Sequence, residues 1–130
     1  MTLKSSLFFG LILLSVLGCG QGYKSEALGP DGFKEMIEDN PDLQLIDVRT
    51  VGEVSSGYIP EAVNIDFRDP GFRQALEKLD RQKPIAVYCA VGQRSQAAYD
   101  MLVEMKFHEV YHLTGGTIAW QQKNYSLVKP

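Results

Sequence analysis

Apolar positions recur along this chain at two alternating periods. Over residues 30–40, Phe33, Met36 and Ile37 share one face of a 3.6-residue repeat. Pro30 stands at a helix-start position and Pro41 lies past the end, which predicts a helix. Residues 43–48 (LQLIDV) make a short apolar run with β-branched members and predict a strand. Residues 53–57 predict a brief turn or helix, and 62–65 (AVNI) a second short strand. Phe72, Leu76 and Leu79 place a helix over 70–79, and Lys83-Pro84 closes that segment. The run 85–89 (IAVYC) reads as a strand, 95–105 as a helix with Ala98, Met101, Leu102 and Met105 inward, 109–113 as a last strand and 117–123 as a last helix. Strands alternating with helices predict an α/β fold, a parallel sheet with helices on both faces. Ligands bind such folds at the carboxyl ends of the strands, and Cys89 ends a strand.

The first residues carry a different pattern. Lys4 is followed by an apolar stretch over 7–17, interrupted only by Gly10 and Ser15. It is too short for a bilayer of about 30 Å and has the form of a signal-peptide core. Val16-Leu17-Gly18-Cys19 resembles a bacterial lipobox, in which the cysteine is lipidated and becomes the new N-terminus. The expected organisation is a signal peptide over 1–18, a lipid-attachment cysteine and polar tether over 19–28, and one domain over 29–130. Leu17 is larger than the lipobox position usually carries, so a plain secretory signal stands as an alternative, with a buried N-terminal helix behind it. The expected location is the bacterial envelope or periplasm, with membrane attachment through Cys19. Gly20 lacks an Asp-type retention signal, which by resemblance favours the outer membrane.

Composition narrows the field further. The chain has 130 residues, enough for one domain, with a formal net charge of −3 and no basic stripe, so nothing suggests a nucleic-acid partner. Its two cysteines are Cys19 and Cys89. An exported protein with two cysteines invites a disulfide reading, but lipidation would consume the Cys19 thiol. Cys89 is then a free thiol, either an inert core residue or a reactive one.

The residues after Cys89 favour reactivity. Positions 89–95 read Cys-Ala-Val-Gly-Gln-Arg-Ser and open a helix. The unpaired N–H groups of a helix start, with its dipole, favour thiolate over thiol. Gly92 lets the backbone turn its amides inward, Arg94 adds positive charge at the rim, and Ser95 is expected as the N-cap.

Four segments together resemble a single-domain rhodanese: Asp47-Val48-Arg49, the stretch 57–65 (GYIPEAVNI), the loop 89–95, and 113–120 (LTGGTIAW). The family commonly has His at the position of Tyr58 and Gly at that of Glu61. The resemblance implies a rhodanese-like fold and sulfurtransferase chemistry: a cysteine thiolate takes a sulfane sulfur from thiosulfate or a polysulfide or persulfide donor. It then yields that sulfur to a thiol or cyanide acceptor, with no metal or organic cofactor called for. A non-turnover persulfide carrier is the alternative. A phosphatase or arsenate reductase of the same fold is more distant, because four residues separate Cys89 from Arg94 and such phosphatases have a loop one residue longer.

The candidate site is therefore Cys89 as nucleophile, with Ala90, Val91, Gly92, Gln93, Arg94 and Ser95 around the substrate. Arg49 is expected to add positive potential and Asp47 to support it; a structural ion pair of Arg49 with Asp47, Glu53 or another acid is the alternative. Gly115 and Gly116 are expected to allow a close turn and Trp120 to lie in the core. His108 and His112 are expected in structural or surface roles, and Tyr58 could border the site.

Overall fold

The computed structural model describes residues 22–130. The expected signal peptide, the expected lipidation site at Cys19 and the first residues of the expected tether lie outside the described residues. Five strands, β1 (Lys24–Leu28), β2 (Gln44–Asp47), β3 (Val63–Asn64), β4 (Ile85–Tyr88) and β5 (Glu109–Leu113), form one sheet in the order β1-β5-β4-β2-β3. Every pairing is parallel. The helices are α1 (Pro30–Asp39), α2 (Val51–Val54), α3 (Phe72–Glu77), α4 (Gln93–Glu104) and α5 (Gly116–Gln122).

Helices cover both faces, as the alternating pattern predicts, and the two cores follow the period-2 alternation of β4. Ile85, Val87 and Cys89 point to one side, where they pack with Phe72 and Leu76 of α3 and Ala98 and Leu102 of α4. Ala86 and Tyr88 point to the other, against Phe33 and Met36 of α1 and Trp120 of α5. On β5, Val110 joins the first core while Tyr111 and Leu113 join the second.

One expectation needs correcting. The polar segment read as a tether includes β1, which pairs with β5 from Lys24↔Glu109 to Leu28↔Leu113. Its residues are exposed except the half-buried Leu28, because it is an edge strand with little to bury. The hydrophobic pattern that reveals interior strands is therefore absent from it.

Candidate active site

Cys89 is fully buried immediately after β4. The next residues wrap beneath its sulfur. The Gly92 N–H donates to Cys89 Sγ at 3.1 Å, and the Ser95 hydroxyl donates to it at 3.3 Å. The backbone N–H groups of Ser95 and Val91 also serve the sulfur. Burial pushes the thiol up, but the Ser95 hydroxyl and these amides outweigh it, so the Cys89 thiol lies below its ordinary range.

The amides face inward because the carbonyls are held outward. Thr117 N–H donates to the Cys89 carbonyl at 2.9 Å and Ile118 N–H to the Ala90 carbonyl at 3.2 Å. Two orphan donors at the start of α5 thus fix two peptide planes of the loop. Gly116 permits that approach: its φ is +61°, and a Cβ there would lie 2.4 Å from both the Cys89 and the Ala90 carbonyl oxygens. The paired glycines, expected to form a close turn, also clamp the loop that follows Cys89. Gly92 is equally constrained, with φ +106° and Gly115 N 3.2 Å from where its Cβ would sit.

The remaining loop residues divide by exposure. Ala90 is half-buried, Val91 is 55% exposed at the tip, and Gln93 is exposed in the first turn of α4. Ser95 is not the N-cap. Gly92 occupies that position, and Ser95 sits three residues into the helix, buried, with its hydroxyl directed at Cys89 and the Gly92 carbonyl.

Arg94 is not a free cation. Its guanidinium makes two hydrogen bonds to Glu53, Nη1 to Oε2 at 2.8 Å and Nη2 to Oε1 at 2.7 Å. Glu53 also closes a capping box with Thr50 at the start of α2. The Arg94 bonds, helped by those from Thr50 and opposed by burial, hold the Glu53 carboxyl far below the usual carboxylate range.

Arg49 does not add free positive charge to the loop and instead takes the ion-pair alternative. It is 5% exposed, and Nη2 and Nε bind Asp47 at 2.6–3.1 Å while Nη2 also donates to the Gly57 carbonyl at 2.7 Å. Its charge is matched by a neighbour two residues away, and Asp47 serves that pair. Tyr58 pairs through its backbone with Val128.

Sequence reasoning missed His112. It is buried, and its Nε2 lies 2.9 Å from Ser95 Oγ. The signal was present: alternation puts His112 on the same side of β5 as Val110, the side that Cys89 faces. His108 instead stacks near Tyr23, before β5 begins. Among the described residues, no group of three His, Cys, Asp or Glu side chains is placed to hold a metal ion.

A buried thiol, ringed by inward amides at the carboxyl edge of a parallel sheet, defines a class of anion-stabilising cysteine loop. Residues 29–123 match the family model of the rhodanese-like domain, and the chain belongs to that family. It is 40% identical over 89 residues to a putative sulfurtransferase, YtwF, of Bacillus subtilis, covering 68% of this chain and 84% of the relative. It is 28% identical over 100 residues to a sulfurtransferase of Allochromatium vinosum, covering 77% and 92%. Among solved structures, a rhodanese-related protein from Thermoplasma volcanium superposes with a TM-score of 0.69 at 29% identity, covering 82% of this chain and 98% of that one.

Proposed function

We propose that this protein is a sulfurtransferase that carries one sulfane sulfur as a persulfide on Cys89. The carrying observation is the set of donors converging on Sγ, with Gly92 N–H at 3.1 Å and the Ser95 hydroxyl at 3.3 Å. The thiolate attacks the outer sulfur of thiosulfate, a new S–S bond forms, and sulfite departs with the electron pair of the old one. A polysulfide or persulfide donor reacts likewise, releasing a thiolate or a shortened polysulfide anion. Cyanide or an acceptor thiolate then attacks the terminal sulfur, and the electrons return to Cys89. The loop amides stabilise negative charge at each stage.

Thiosulfate:cyanide turnover, compared between wild type and Cys89→Ser, tests the proposal. Activity is expected only in the wild type, and equal activity in Cys89→Ser overturns it. A carrier role has its own support: Cys89 is fully buried and Arg94 is neutralised by Glu53, both unhelpful to rapid turnover of a dianion. Intact mass showing one added sulfur on Cys89, with negligible turnover, favours the carrier.

Export and lipid attachment through Cys19 belong to this proposal and rest on the N-terminal pattern alone. Cys19→Ala should move the protein out of the membrane fraction; retention there rejects the anchor.

A further inference from the structure

Three observations meet at His112. Its side chain is 3% exposed, its Nε2 lies 2.9 Å from Ser95 Oγ, and its Nδ1 is buried without a hydrogen-bond partner. Ser95 in turn reaches Cys89 Sγ at 3.3 Å. A hydroxyl has only one proton to give. When Ser95 donates to a thiolate, its oxygen must accept from His112, which places a proton on Nε2. The unpartnered Nδ1 agrees, because this tautomer leaves the ring no buried N–H without an acceptor.

We propose that His112 is a positioning residue for the nucleophile: its neutral Nε2–H donates to Ser95, whose hydroxyl proton is thereby directed onto the Cys89 thiolate. The Gly92 carbonyl competes for that proton at 3.3 Å, and negative charge on sulfur decides between the two acceptors. Donation from Nε2 polarises the hydroxyl and strengthens it as a donor. The groups facing His112 fit a neutral ring. From α4 come Ser95, the Tyr99 ring at 5.9 Å and the more distant charge of Asp100; from the loop comes the Gly92 backbone, and from β1 the paired Ala27. Burial pushes the imidazole below its ordinary value, and Gly92 and Asp100 only partly oppose this.

The inference deepens the sulfurtransferase reading but is tested without any sulfur donor, so absent turnover leaves it standing. The alkylation rate of Cys89 by iodoacetamide is followed against pH in the full chain. His112→Leu should raise the midpoint by about half to one pH unit, a roughly three- to tenfold loss of reactive thiolate below it. His112→Gln, which keeps a side-chain N–H donor, should restore most of the loss. In a Ser95→Ala background His112→Leu should change nothing further, because the link to sulfur is already cut. An unmoved midpoint in His112→Leu, or an equal shift with and without Ser95, overturns the proposal. A reading independent of variant folding comes from nitrogen chemical shifts of the wild-type imidazole at neutral pH. They should report the Nε2–H tautomer, and an Nδ1–H tautomer overturns the relay.

Discussion

Two neighbouring loops leave the same edge of the sheet, and each carries an arginine. After β2, Asp47 accepts from the Arg49 backbone N–H and side chain, Arg49 donates on to the Gly57 carbonyl, and the Asn64 side chain ties down the Asp47 and Arg49 carbonyls. That loop satisfies its own charges inside the protein. After β4, Val91, Gly92 and Ser95 direct N–H groups at a single sulfur, while α5 takes the carbonyls of Cys89 and Ala90. That loop is complete only with negative charge at its centre. The difference separates a structural ion pair from a site built around an ionisable sulfur: both are buried, but only one leaves donors directed at an atom that can change charge.

The largest effects should come from breaking each loop at its own fastening. Gly116→Ala would force a Cβ 2.4 Å from two carbonyl oxygens at φ +61°. It should destabilise the protein by more than about 4 kcal/mol, and any folded fraction should show slow alkylation of Cys89. Thermal unfolding and alkylation rates read the two consequences. Arg49→Ala leaves Asp47, 1% exposed, without its partner. It should cost about 3–5 kcal/mol in denaturant unfolding. Under stabilising conditions its Cys89 should alkylate at the wild-type rate, and a slow rate would show that the two loops are not independent.

Glu53 joins the two regions, following the β2 loop in sequence and holding the β4 loop through Arg94. Glu53→Gln keeps an oxygen for the Thr50 contacts but removes the charge that neutralises Arg94. Thiosulfate KM should fall several-fold with little change in kcat, an effect of about 1 kcal/mol for one partly exposed pair. Unchanged KM would show that Arg94 does not contribute to binding an anionic donor.

Most of this architecture is legible in the chain because interior strands and amphipathic helices carry strong periodic signals. Residues 85–89 and 109–113 illustrate it, matching β4 and β5 to within a residue. β1 escapes because an exposed edge strand such as KSEAL has no apolar alternation. At the site, the importance of Cys89 and Gly92 follows from a strand running into a helix. The partners of Arg49 and Arg94 do not, since a charge does not announce which neighbour will neutralise it. Ser95, expected as the N-cap, lies three residues past the actual one because a glycine at positive φ starts the helix earlier. His112 needs two pieces of local reasoning joined across the sheet, the alternation of β5 and the facing side of β4.

The pH behaviour of Cys89 sharpens the contrast from another side. Because its folded value lies below the ordinary 9.0, ionisation favours the fold. That contribution is complete above the unfolded value and disappears as pH falls through the folded one. The difference in Tm between wild type and Cys89→Ser should therefore shift in favour of wild type as pH rises from neutral towards 9.0. A flat difference would mean that the loop does not stabilise the thiolate.

The smallest effect tests the loop after β2 at its far end. Glu61 stands at φ +71°, a left-handed conformation that a side chain disfavours. The neighbouring backbone imposes it: the turn brings Ala62 N–H onto the Ile59 carbonyl at 3.1 Å and leads directly into β3. Glycine adopts this conformation without the Cβ conflict but has more freedom to lose on folding. The net for Glu61→Gly should be a gain of about 0.5–1 kcal/mol, measured by denaturant unfolding, with Cys89 alkylation unchanged. A loss instead would mean that the Glu61 side chain makes a stabilising contribution larger than its backbone strain. A change in Cys89 reactivity would mean that strain in this turn reaches the sulfur, and the two loops could no longer be treated as separate.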